Sequence, residues 1–425
     1  MTSERQAYVY VQLPGTLETV PAALLKVEKL RDGTFVGRFR YGDRYLERKD
    51  AIALDPFKLP LGSIVHEFTK LKGIPGAVRD AGPDAWGRRV IEHKLERGAG
   101  DLDEIDYLLN GPQDGAGYLS FGLKREPPAP KRRYNRTHQL AELVAAAEAI
   151  EEGKRVPVHV LEQLEPGTSM GGARPKATLE DDQRLWVGKF PEKADRCNLQ
   201  RVEYASIELA RRCGISSCNA RIESIGGRDV LMVERFDRRH TGDGYLRFGL
   251  VSGLTLLDCD EAYLDRERWS YPLLADELRR WSAKPDEDRI ELFRRMVFNA
   301  AVTNNDDHPR NHAVRRTARG WRLTPAYDLV PAPVVSLERR DLAMTVGIYG
   351  RTASVYNLLS QCERFGLTAE AARKEIEQMV PTLRTWRDHF QACGVSAKDI
   401  DHIAPAFLPE CFFFEKPPER QSPRP

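Results

Sequence analysis

Cysteine is sparse and badly spaced for structural work. The seven cysteines are odd in number and none forms a Cys-x-x-Cys pair, so neither a disulfide framework nor a structural zinc site is indicated. Long apolar runs are missing as well; nothing approaches the roughly 18 residues a membrane span needs. The opening MTSERQAYVYVQL lacks the basic-then-apolar layout of a secretory leader. Charge of one sign is also absent: 65 Lys and Arg face 63 Asp and Glu, a net charge of +2, which excludes a protein whose main task is to blanket nucleic acid. These absences predict a soluble cytoplasmic chain with no membrane partner. There are no internal repeats, and 425 residues suffice for two or three packed units around a buried cleft.

What is present begins with strands. AYVYVQL is β-branched and aromatic, and GTFVGRFRYGDRYLE carries Gly42-Asp43, a pair suited to a two-residue hairpin turn. DAGPDAWGRRVIEHKLERG predicts a helix with Pro83 near its first turn and Gly98 as its stop. A first unit over residues 1–122 follows, then a proline-rich and basic linker over 123–138. QLAELVAAAEAIEEG places Leu140, Leu143, Val144, Ala147 and Ile150 on one helical stripe that ends at Gly153. Residues 139–237 read as a strand-rich lobe, 238–414 as a mainly helical lobe, and 415–425 as a disordered tail without apolar content.

The densest chemistry lies in TNNDDHPRNH, residues 303–312. His308 and His312 are four apart, and on a helix they would face one metal ion with Asp306 or Asp307 completing the shell, the arrangement of a metal-dependent hydrolase. Pro309 argues against it, because proline biases the preceding residue away from helical backbone. As a loop, the segment offers Asp306 and Asn311 in an Asp-x-x-x-x-Asn spacing, by which a kinase catalytic loop sets a carboxylate against the acceptor hydroxyl and an amide oxygen on magnesium. HAVRRTARGWRLTPAYDLV then predicts two strands across a Gly-containing turn that deliver Asp328, a second magnesium carboxylate.

Upstream, LWVGKF places Lys189 on a strand among apolar neighbours, where its charge needs an anion. Nucleotide phosphates would serve, and so would Glu203 on the helix RVEYASIELARRCG. The preceding GTSMGGARPKATL is a glycine-rich loop whose backbone and whose Arg174 and Lys176 suit phosphate, although it lacks the Gly-x-x-x-x-Gly-Lys-Ser/Thr of a Walker loop. DVLMVERFDRR supplies an apolar strand running into Glu234, Arg235 and Phe236, where a kinase offers backbone groups to adenine. Each signal is weak alone, yet their order is that of a protein kinase.

SMGGARPKA, WVGKFP, VEY, VERFDRR, NNDDHPRN and LTPAYDLV together resemble the HipA family of bacterial serine/threonine kinases, toxins of HipA-HipB toxin-antitoxin pairs, over roughly residues 5–410. The resemblance implies an α+β, two-lobed protein-kinase-like fold with a small N-terminal β-rich subdomain and a helical C-terminal lobe. It implies ATP and Mg2+ as cofactors, Asp306 as catalytic base, and Asn311 and Asp328 as magnesium ligands. Gly171, Gly172, Ala173, Arg174 and Lys176 would form the loop over ATP. Lys189 would bind phosphate with Glu203 behind it, Glu234, Arg235 and Phe236 would hold adenine, and His308 and Tyr327 would complete the nucleotide site. A serine at the position of Ser169 is autophosphorylated in the family, which switches the kinase off. The implied partners are a HipB-like helix-turn-helix antitoxin, operator DNA reached through it, and a protein substrate such as an aminoacyl-tRNA synthetase. Arg310, Arg174, Pro175 and the segment LRFGLVSGLTLLDCDE depart from the family pattern, which bears on the substrate and antitoxin surfaces more than on phosphate chemistry. The alternative function is a non-catalytic, ATP-binding regulator of a helix-turn-helix partner.

Overall fold

In the computed structural model, residues 4–129, 134–164, 172–182, 184–261, 263–332 and 340–417 are described. The chain divides into two compact units, Met1–Asp195 with Asn219–Asp258 and Ala313–Arg319, and Arg196–Cys218 with Cys259–His312 and Gly320–Pro425.

The first unit contains two five-stranded sheets. β1 (Glu4–Gln12), β2 (Thr19–Lys29), β3 (Phe35–Tyr41), β4 (His66–Phe68) and β5 (Leu119–Gly122) are ordered β4-β3-β2-β1-β5 and run antiparallel. Alternation puts Ala7, Val9 and Val11 of β1 on the covered face beside Leu25, Phe39 and Tyr41. The β2–β3 hairpin closes at Asp32-Gly33, where Gly33 has φ +89° and the Asp32 carboxylate accepts from Thr34 N at 2.9 Å. Gly42-Asp43 is not a hairpin turn: Gly42 is extended and precedes a helical turn, Asp43–Leu46. An Asp directly after an extended Gly serves a helix first turn as well as a hairpin, and the buried Tyr45 decides between them here.

The second sheet comprises β6 (Asn135–Arg136), β7 (Lys176–Asp181), β8 (Arg184–Lys189), β9 (Ala220–Ile225) and β10 (Arg228–Glu234), in the order β6-β7-β8-β10-β9. Register sets Lys176 opposite Lys189 and Lys189 opposite Leu231. The predicted helix stripe is buried here: Leu140, Leu143, Val144, Ala147 and Ile150 of Leu140–Glu151 pack with Leu179, Trp186, Val230 and Met232. Trp86 and Val90 join this core from the helix Ala85–Leu95. That helix stops before Gly98, because Glu96 takes the left-handed cap position at φ +52°. A hairpin, β11 (Arg238–Thr241) with β12 (Gly244–Arg247), and the pair β13 (Leu250–Ser252) with β14 (Ala313–Thr317) complete the unit.

The second unit is mostly helical around Pro285–Ala301, whose Leu292, Phe293, Met296, Val297 and Ala300 are buried. Tyr271–Trp281 and Ala369–Arg384 pack beside it. Ser270 and Thr368 accept from the first-turn amides of Leu273 and Ala371, which fixes where those two helices begin. Leu199–Arg212 carries Glu203 on the face of buried Ile207 and Ala210 and ends before Gly214, at φ +80°. β15 (Gly320–Leu323) lies in this unit and leads toward Asp328. Among the described residues no helix is long and apolar enough to cross a membrane.

Candidate active site

In the second unit the helix Pro285–Ala301 delivers the chain into TNNDDHPRNH, and nearly every residue of that stretch is committed. Thr303, in left-handed backbone at φ +50°, donates its hydroxyl to Ala406 O at 2.6 Å. Asn304 Nδ2 donates to Asn299 Oδ1 at 3.2 Å and to the carbonyl of Asp328 at 3.3 Å, while Asn299 donates to the Tyr271 hydroxyl at 3.0 Å. A buried polar network thus carries the positions of Asp306 and Asp328 relative to one helix. His308 is extended, with φ −91° and ψ 163°, as Pro309 dictates, and residues Pro309–Asn311 form a single tight turn. The two histidines therefore do not share a helix face. His312 donates Nε2–H to Asp307 Oδ1 at 2.9 Å, both side chains being buried, so this pair braces the loop.

That leaves Asp306, His308, Asn311, Tyr327 and Asp328 around one place. Asn311 Nδ2 donates to Asp306 O at 3.2 Å, and its Oδ1, although buried, has no hydrogen-bond partner among the described residues. The Tyr327 hydroxyl donates to Arg310 O at 2.7 Å, tying the segment before Asp328 to the loop. Arg310 is paired with Glu261 at 2.8 Å. Asp306 is open to solvent, yet crowding raises its carboxyl pKa above the ordinary range; Asp328 adds to the rise, and His308 and Arg266 oppose it. Asp328 itself sits at φ +60°, a left-handed position that a non-glycine residue rarely holds without support.

An unpartnered amide oxygen beside two mutually repelling carboxylates fits a hard divalent cation. Among the described residues no three His, Cys, Asp or Glu side chains converge to hold a metal by themselves. A site of one aspartate and one asparagine is what Mg2+ takes when phosphate oxygens and water fill its other positions.

The other predicted residues belong to the first unit, apart from Glu203, which is buried in the second. Ser169 and Gly171 lie outside the described residues. Gly172, at φ +119°, directs its carbonyl to Lys176 Nζ at 3.2 Å, and Ala173 O accepts from Arg89. Lys176 is almost fully buried and paired with Asp84 at 2.9 Å, so its ammonium fastens the loop to the cap of the helix Ala85–Leu95. Arg174 faces Asp195, with Nη1 at 3.0 Å from Oδ2. Lys189 ends β8. Glu234 Oε2 accepts from Asn219 at 2.8 Å, and the Phe236 carbonyl accepts from Arg315. The Arg235 side chain turns inward to a buried cluster with Asp114 (3.1 Å), Asp237 (3.0 Å) and Arg238, and its N–H donates to Leu185 O at 2.8 Å. Sequence reading missed this cluster and the Asp307–His312 brace. The run Arg235-Phe-Asp-Arg238 was its one local sign, since Asp114 lies 121 residues from Arg235.

A strand lysine, a buried helix glutamate, an Asp-x-x-x-x-Asn loop and a following aspartate, in an α+β chain, define a protein-kinase-like fold. The chain belongs to the HipA family: residues 168–386 match the HipA-like C-terminal domain. Over its whole length the fold is similar to that of HipA in the Shewanella oneidensis MR-1 complex of HipA, HipB and operator DNA, with a TM-score of 0.65, 17% identity and 94% of each chain covered. The Helicobacter pylori proinflammatory kinase CtkA aligns at a TM-score of 0.40 and 15% identity, over 57% of this chain and 93% of its own. In sequence, the chain is 26% identical over 179 residues to the candidate kinase Y4mE of Sinorhizobium fredii (strain NBRC 101917 / NGR234), spanning 38% of each protein.

Proposed function

We propose that the chain is an ATP- and Mg2+-dependent protein serine/threonine kinase that acts as the toxin of a toxin-antitoxin pair. The observation that carries this reading is the buried, unpartnered Asn311 Oδ1 beside Asp306 and Asp328. Asn311 and Asp328 hold the metal, which when bound neutralises phosphate charge. Asp306 orients the acceptor hydroxyl and takes its proton, and its raised affinity for a proton suits that task. His308 and Tyr327 shape the loop. Lys189 is assigned to the phosphates, and the backbone of Glu234, Arg235 and Phe236 to adenine. Gly171 to Arg174 are assigned to the covering loop, whereas Lys176 supports that loop through Asp84. Ser169 is proposed as an autophosphorylation site whose phosphate would oppose ATP by charge.

The Shewanella complex contains HipB and operator DNA, which supports proposing a helix-turn-helix antitoxin as partner, with operator DNA reached through it. An aminoacyl-tRNA synthetase is the proposed substrate class, and the cytoplasm the proposed compartment. Transfer of labelled phosphate from ATP, with wild type and Asp306→Asn, is the decisive test. The variant is expected to lose at least about 100-fold in rate while keeping its melting temperature; equal labelling removes Asp306 as the base. Binding of the antitoxin without any transfer by wild type would favour the non-catalytic regulator. Mass spectrometry should find phosphate on Ser169 in wild type and not in Asp306→Asn.

A further inference from the structure

The first unit holds a cavity of about 550 Å³, and no residue assigned above to nucleotide or metal lines it. Its walls come from the start of β2, the segment around Gln113 and Ser120, Tyr134, and the β11–β12 hairpin. Arg247 lines it too. Its guanidinium donates to the carbonyls of Leu119 (2.8 Å), Gly117 (2.9 Å), Gln113 (3.0 Å) and Gly115 (3.3 Å), and among the described residues no carboxylate bonds it.

The charges behind it do not balance. Arg235, Arg238 and Arg247 bring three guanidiniums against the two carboxylates of Asp114 and Asp237, and those carboxylates are engaged by Arg235 and Arg238 at 2.6–3.1 Å. Arg247 is thus left at the cavity wall with no carboxylate at bonding distance among the described residues. Burial first, and repulsion from Arg238 second, push the Arg247 pKa down to about 9, while Asp114 and Asp237 oppose the shift. The other acid groups in the wall do not relieve it: Glu180 is held by Arg136 at 2.8 Å and by the Tyr245 hydroxyl at 2.8 Å, and Asp243 lies exposed in the hairpin turn. A part-buried guanidinium whose bonds among the described residues all go to backbone carbonyls still carries a charge that an anion can meet.

The remaining wall mixes aromatic, apolar and polar side chains. Tyr134 and Tyr245 meet edge to face with centroids 5.6 Å apart, and His240 stands 5.0 Å from Tyr245. The side chains of Gln113 and Ser120 bond no described residue, which leaves an amide and a hydroxyl for a ligand. Aromatic edges with a few placed polar groups and one charge are the makings of a small-molecule site.

We propose that this cavity binds a small organic anion bearing a flat ring, with its acid group toward Arg247 and its ring against the Tyr134–Tyr245 pair. The test uses the full chain and three probes in ligand-observed NMR: benzoate, its neutral isostere benzamide, and inorganic phosphate. Benzoate is expected to bind saturably and at least about ten-fold more tightly than benzamide. Ser120→Met fills the cavity and should abolish benzoate binding while melting temperature and circular dichroism stay as in wild type. If that variant fails to fold, Thr19→Met, entering the same cavity from β2, takes its place. Benzamide binding as well as benzoate, or a folded filling variant that still binds, overturns the proposal, as does the absence of saturation by benzoate. Phosphate competing as strongly as benzoate overturns the part given to the ring. None of these measurements involves phosphoryl transfer, so the outcome is independent of the kinase reading.

Discussion

Among the described residues Asn311 makes one hydrogen bond through Nδ2 and none through its buried Oδ1, which leaves that acceptor open to a metal. Asn311→Ala should cost only about 1 kcal/mol of stability, whereas the Mg2+ concentration for half-maximal phosphate transfer should rise at least about ten-fold; an unchanged Mg2+ requirement would remove Asn311 as a ligand. For Asp306 the sign is fixed by its surroundings. As the proposed base it must be ionised to act, so activity is expected to fall as pH drops through its raised pKa; Arg266 holds that pKa down, and Arg266→Gln should move the acid limb of kcat/KM to higher pH. Asp55 gives a cleaner pH effect on stability. Burial raises its carboxyl to about 6, with Oδ1 accepting from Phe57 N at 2.8 Å and Lys58 N at 3.2 Å and Oδ2 without a hydrogen-bond partner among the described residues. The folded state holds this proton more tightly than the unfolded chain, so stability falls as pH climbs from about 4 to about 6, a loss on the order of 2–3 kcal/mol. Asp55→Asn keeps the acceptor and should flatten that part of the melting profile while raising the neutral-pH melting temperature.

At the scale of elements, the structure separates what local sequence can encode from what it cannot. The helix Leu140–Glu151, the strand ending at Lys189 and the helix of Glu203 follow from period and composition, and Pro309 alone predicted the extended His308. The turn after β3 was misread because Gly-Asp suits two local structures equally, and only packing of Tyr45 selects the helical one. The end of the helix Ala85–Leu95 was misplaced because Glu96 accepts a conformation that glycine would take more cheaply. Lys176 looked like a phosphate ligand because its counter-ion, Asp84, is 92 residues away. Breaking this buried pair with Lys176→Met should cost about 3–5 kcal/mol, and Lys176→Met with Asp84→Asn considerably less. Calorimetric melting of wild type, Lys176→Met, Asp84→Asn and the double variant checks both; additive losses would mean that the two residues do not act as a pair.

For the whole molecule, the ion cluster of Asp114, Asp237, Arg235, Arg238 and Arg247 matters most, because it joins residues before 123 to the strands after 230. Gly117 N also donates to Asp237 at 2.9 Å. A chain beginning at residue 123 would keep three arginines and one of their two carboxylates, so it is expected to be insoluble or to lose cooperative melting, by circular dichroism. Soluble, cooperative folding of that fragment would show the cluster to be dispensable. Pairing across such sequence distances leaves no periodic trace beyond the run Arg235-Phe-Asp-Arg238, whereas the proposed catalytic loop packs its candidate residues into ten consecutive positions. The cluster also sets a rule of inheritance. Recombination that replaces the first 120 or so residues with those of a relative must bring an acid at the place of Asp114, or the host's arginines lose their counter-charge; the two stretches can drift, but only in step.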